Sequence, residues 1–114
     1  MNSLKHYIDY ILEREKQRNL EMQDSYFKRL NSLPKGSLVI REISGHKYCY
    51  LRFRDGQKSV LKYFGTIERL DLLNELICER EHCKSILKDL KEEYKRIERM
   101  GGIKWSFIMA VSWL

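Results

Sequence analysis

Apolar residues recur along this chain in three regimes: a sparse helical stripe, a period-two stretch and a long heptad seam. In the first segment Leu4, Ile8 and Ile11 stand three and four apart, and Met22, Tyr26, Phe27 and Leu30 resume the stripe. That spacing predicts a helix from Asn2 to about Asn31. The run Glu13-Arg14-Glu15-Lys16-Gln17-Arg18-Asn19 holds nothing apolar, so the middle of the helix is expected to be solvated. Pro34 ends the segment, because the residue before a proline is pushed out of the helical region.

Three strands are expected next, Ser37–Ile43, Lys47–Arg54 and Lys58–Phe64, separated by Ser44-Gly45-His46 and Asp55-Gly56-Gln57. A two-residue Asp55-Gly56 loop would mix polar and apolar residues on both faces, whereas an odd-length loop with left-handed Gly56 sorts them. The sorted register puts Cys49, Leu51, Phe53, Leu61 and Tyr63 on one face. Tyr48, Tyr50, Arg52, Arg54, Lys58, Val60 and Lys62 then share the other. With a two-residue first turn, Leu38 and Ile40 join the apolar face and Arg41 joins the basic one.

Gly65-Thr66 opens a second helix, expected from Ile67 to Met100, with Thr66 as N-cap and Glu68 suiting the helix dipole. Leu73, Leu76, Arg80, Cys83, Leu87, Leu90, Tyr94 and Ile97 alternate steps of three and four, a heptad seam interrupted by one cation. At 1.5 Å per residue this helix is about 50 Å long, more than a small sheet can cover, and it is expected to pair antiparallel with the first. Gly101-Gly102 is expected to stop it. The fold class is therefore α+β, one domain over 1–114: helix 1–33, three-stranded antiparallel sheet 36–65, long helix 66–100 and apolar tail 101–114.

The tail carries Trp105, Phe107, Ile108, Met109, Val111, Trp113 and Leu114. Folding back onto exposed helix, an oligomer or partner surface, and, least favoured, a membrane-surface anchor are the readings it allows. It is far short of the ~20 apolar residues that cross a bilayer, so no membrane is expected as partner. With 33% charged and 43% hydrophobic residues, the 114-residue chain reads as a soluble folded protein. Three cysteines without framework spacing and no apolar leader lead us to expect a cytoplasmic location.

Charge changes the picture most. Residues 35–64 hold Lys35, Arg41, Lys47, Arg52, Arg54, Lys58 and Lys62 against Glu42 and Asp55, which is +5 of the chain's +6. A basic, tyrosine-bearing sheet face attracts phosphate backbones and offers rings to bases or sugars. The expected function is that of a non-catalytic nucleic-acid-binding accessory protein, for DNA or RNA, using Arg41, Tyr48, Tyr50, Arg52, Arg54, Lys58 and Lys62. The alternative is a small phage or mobile-element inhibitor or adaptor of anti-CRISPR type, docking on a nucleoprotein enzyme. A homodimer through the long helix is a third expectation, and Leu87, Leu90, Tyr94, Ile97, Trp105 and Trp113 are its candidate interface, as they are for any protein partner.

Catalytic signatures are missing: no Gly-rich phosphate loop, no nucleophile elbow and no His-Glu-x-x-His, so no enzyme and no cofactor is expected. Cys78 and His82 sit four apart beside Cys83, but no second ligand pair completes a zinc site, and no metal is expected.

Leu33 to Leu38, Tyr48 to Arg54 with Asp55-Gly56, and Lys62 to Gly65 form a pattern of Leu-Pro-x-Gly-Ser-Leu, Tyr-x-Tyr-Leu-x-x-Arg, Asp-Gly and Lys-Tyr-x-Gly. This pattern resembles the core of an uncharacterised group of small bacterial and mobile-element proteins, a likeness that implies no known activity. At the level of topology, three strands and a helix over about residues 36–80 are also similar to the arm-binding domains of phage integrases. That likeness implies a sheet entering a DNA groove.

Overall fold

The computed structural model describes residues 2–113, with side chains described from 3 to 101. Helix α1 (Asn2–Ser32) leads into strands β1 (Ser37–Ile43), β2 (His46–Asp55) and β3 (Lys58–Thr66). A single 3-10 turn, Ile67–Arg69, precedes helix α2 (Leu70–Trp113). The α+β class and the order of helix, antiparallel sheet β1-β2-β3 and long helix are those the sequence pattern predicts. The chain divides into two compact units, residues 28–84 and residues 1–27 with 85–114.

The sheet unit forms around Cys49, Leu51 and Leu73, with Leu38, Phe64, Ile67, Leu70 and Ile77 packed against them. The start of α2 therefore covers one side of the sheet, and period-two alternation sends the intervening β2 residues to the other. The first hairpin closes through two residues, Ser44 and Gly45, both at positive φ (53° and 82°) as a type I′ turn requires. His46 belongs to β2 and pairs with Ile43. Pro34 and Gly36 link α1 to β1. At Gly36 (φ 120°) a Cβ would lie 2.5 Å from the Arg52 carbonyl oxygen, so only glycine lets the chain enter the sheet beside β2.

The second hairpin differs from the expected register. Asp55 pairs with Lys58 across a two-residue Gly56-Gln57 turn, with positive φ at Gly56 alone. Leu51 then faces Lys62, Phe53 faces Val60 and Arg52 faces Leu61, so β3 is turned over relative to the expectation. A bulge follows: the pairing passes from Tyr50–Tyr63 to Cys49–Gly65, skipping Phe64. The extra residue lets both Phe64 and Gly65 lie on the covered side and carries the alternation on to Ile67. Arg69 lies over the Phe64 ring at 4.8 Å and donates to the Phe64 carbonyl at 3.2 Å, clamping this corner.

The last turn of α1 is anchored on α2 within the same unit. Arg80 donates to the carbonyls of Leu30 (2.8 Å) and Leu33 (3.3 Å), and the Leu30 carbonyl also accepts from the Leu33 N–H at 3.2 Å, closing the end of the helix. The cation that interrupts the heptad seam is thus a cap for another helix. Beside it Arg29 and Glu79 pair at 2.6 Å. That hydrogen bond holds the Glu79 carboxyl below the usual carboxylate range and raises Arg29.

In the helical unit, segments of α1 and α2 run side by side in opposite directions. Leu12 approaches to 3.5 Å from where a Cβ on Gly101 would sit, and the buried Asn19 donates to the Leu90 carbonyl at 2.9 Å. Leu87, Leu90 and Ile97 are less than one-tenth exposed, which removes them from the candidate oligomer interface. Tyr94 is half-buried on the same seam. The inward stripe of α1 passes through Ile8, Leu12, Asn19, Met22 and Tyr26, whereas Leu4 and Ile11 are exposed. The polar middle is therefore not wholly solvated: Asn19 occupies a core position, steadied by Gln23, which donates to its side-chain oxygen. Gly101-Gly102 does not stop α2, which continues to Trp113, so the tail extends the helix rather than folding back. A glycine costs only ~1 kcal/mol inside a helix, which a long helix absorbs. The side chains of Trp105 and Trp113 lie outside the described residues.

Two stability measurements check these contacts. Gly36→Ala should destabilise the protein by about 2–3 kcal/mol in urea denaturation, combining strain at positive φ with a backbone clash. Gly45→Ala meets nothing within 4 Å and should cost only the conformational part, about 1–2 kcal/mol. Asn19→Ala should cost about 1–2 kcal/mol by the same assay, through the lost bond to Leu90 and the space left beneath it.

Candidate nucleic-acid interface

The side of the sheet away from α2 is built by alternation along all three strands. β2 contributes Tyr48, Tyr50, Arg52 and Arg54, and its cross-strand partners supply the rest. Arg41 and Val39 of β1 stand opposite Tyr48 and Tyr50, and Tyr63, Leu61 and Ser59 of β3 stand opposite Tyr50, Arg52 and Arg54. None of these positions is acidic, since Glu42 and Asp55 have the other parity.

The centre of the face is a cluster of three phenolic rings. Tyr63 meets Tyr50 edge-on with ring centroids 5.5 Å apart, and tilts against Tyr48 at 6.2 Å. These are favourable quadrupole geometries, which pre-order the rings. Tyr63 remains 54% exposed, and Arg41, Arg52 and Arg54 are exposed around the cluster. Positive charge and accessible aromatic surface therefore coincide, held on rigid strands rather than on loops.

Of the residues expected on this face, Arg41, Tyr48, Tyr50, Arg52 and Arg54 are brought together. Lys58 and Lys62 are not: the Gly56-Gln57 turn gives them the parity of Leu51 and Phe53, on the side that α2 approaches. Tyr63, assigned by the expected loop to the apolar side, is the aromatic that sequence reasoning missed. Its signal was present, because turning β3 over pairs a third tyrosine with Tyr50 at no loss of inward apolar residues.

At the edge of the sheet, Thr66 adopts an extended conformation (φ −76°, ψ 172°) and makes no side-chain cap bond to the turn it precedes. Thr66 thus occupies the expected N-cap position with the extended backbone that position uses, without the side-chain bond. Instead its hydroxyl, then the local backbone N–H, stabilise the Glu68 carboxylate and lower its pKa, with a smaller contribution from His46. Among the described residues no three His, Cys, Asp or Glu side chains gather as a metal site. Cys78 is exposed, while Cys49 and Cys83 are buried and free. No described helix is long and apolar enough to cross a membrane.

Comparisons with curated proteins and with solved structures return no significant match. A family model described as a domain of unknown function (DUF6788) matches residues 6–75, spanning most of α1, the whole sheet and the first residues of α2. That is more than half of the 114 residues, and the chain belongs to this family.

Proposed function

We propose that the protein binds single-stranded nucleic acid on the outer face of its sheet, without catalysis. The observation that carries this reading is the Tyr48–Tyr50–Tyr63 cluster ringed by Arg41, Arg52 and Arg54, with no carboxylate among the positions of that face. Arginines attract and neutralise phosphates, and accessible rings stack unpaired bases whatever their sequence. A duplex keeps its bases stacked on each other and offers the tyrosines little, so single strands gain more from this surface.

Fluorescence anisotropy with labelled single- and double-stranded oligonucleotides tests the reading. Three phosphate contacts predict that raising salt from about 50 to 200 mM weakens binding about 20- to 40-fold. Arg52→Glu with Arg54→Glu should abolish detectable binding. Tyr63→Ala should cost about 1–3 kcal/mol on a single strand and much less on a duplex. Negligible affinity for single-stranded DNA and RNA at low salt would reject the proposal.

A further inference from the structure

On the opposite side of the sheet, within the unit formed by residues 28–84, a groove of about 700 Å³ opens between the end of α1, strands β2 and β3, and α2. Its apolar lining is Leu33, Pro34, Leu51, Phe53, Phe64 and Leu76. Its charged lining is exclusively cationic: Lys35, Lys62 and Arg80. The inner face of β2 and β3 supplies Leu51, Phe53, Lys62 and Phe64 to the groove, and α2 supplies Leu76 and Arg80 opposite them.

Among the described residues no carboxylate pairs with these cations. Lys35 lies over the Phe53 ring at 5.0 Å and Arg80 bonds only to backbone carbonyls, so neither has a carboxylate among the described residues. No ion pair is formed by Lys62 among them either. Three cations converging on an apolar concavity raise the local potential where water is partly excluded, and an anion gains most in such a place. The volume falls in the ~300–1,000 Å³ range of small-molecule sites, and a mostly apolar wall with a few polar groups is their usual construction.

We propose that this groove is a second ligand site, taking a small amphiphilic anion: an apolar or aromatic body seated on Leu51, Phe53 and Leu76, with a carboxylate or phosphate held by Lys35 and Lys62. Arg80 contributes field but stays committed to capping α1. The site is independent of the outer face, because no residue is shared between them.

The test uses the full chain and three probes: 1-naphthylacetate, its uncharged analogue 1-naphthaleneacetamide, and adenosine monophosphate. Amide chemical-shift mapping should place 1-naphthylacetate at Lys35, Leu51, Phe53 and Lys62, and the uncharged analogue should bind at least about tenfold more weakly. Lys35→Gln with Lys62→Gln should abolish that preference. Both lysines are exposed, so an unchanged urea midpoint serves as the folding control. Shifts from the nucleotide at the same amides would identify a phosphate-bearing ligand, and shifts from 1-naphthylacetate alone a carboxylate-bearing one; either supports the site. The proposal is overturned if neither anion perturbs the groove at millimolar concentration, or if charged and uncharged probes bind alike. It is also overturned if Arg52→Glu with Arg54→Glu, which spoils only the outer face, removes the binding.

Discussion

Strand β2 has a strict alternation, and the side of it that Leu73 covers decides everything else on the sheet. Once Cys49 and Leu51 are buried against that leucine, Tyr48, Tyr50, Arg52 and Arg54 have no direction left but outward. Burying the other set instead would strip two guanidinium groups of water without partners, at a cost of several kcal/mol each. The charged, aromatic face is therefore a by-product of core formation as much as a functional surface. Its geometry is as rigid as the packing behind it.

What could be read in the sequence follows how unambiguous each local pattern is. In β2 all the apolar weight lies on one parity, so its faces were legible, and β1 followed through its two-residue turn. In β3 the apolar residues Val60, Leu61, Tyr63 and Phe64 occupy both parities, so burial energy barely distinguishes the two ways up. The turn residues and the bulge at Phe64 decided between them, and neither is visible to a count of apolar positions. Lys62 changed sides for that reason and Tyr63 with it.

The helices repeat the lesson in another form. The heptad seam of α2 was legible because seven of its eight positions are apolar or aromatic. Asn19 was not, since a polar residue in a polar run looks solvated until a backbone carbonyl across the interface is known to meet it. Arg80 is the converse: on the seam it looked like an interruption, yet its donors satisfy α1 rather than weaken α2. The glycine pair misled because helix-breaking tendency is a weak prior, worth only ~1 kcal/mol per residue, and α2 runs through it.

The bulge at Phe64 has a bearing on which length changes the sheet can absorb. Upstream of it β3 keeps one phase of in-and-out alternation, and downstream Gly65 and Ile67 keep the opposite one. Removing Phe64 itself would bring the strand into unbroken phase with Gly65 and Ile67 still facing inward, at the cost of the ring that packs on Cys49, Leu51 and Leu73. A one-residue deletion in the Gly56-Gln57 turn would instead trade Tyr63 for Lys62 on the open side. Two sites a few residues apart thus govern separate properties, one the integrity of the core and the other the chemistry of the surface.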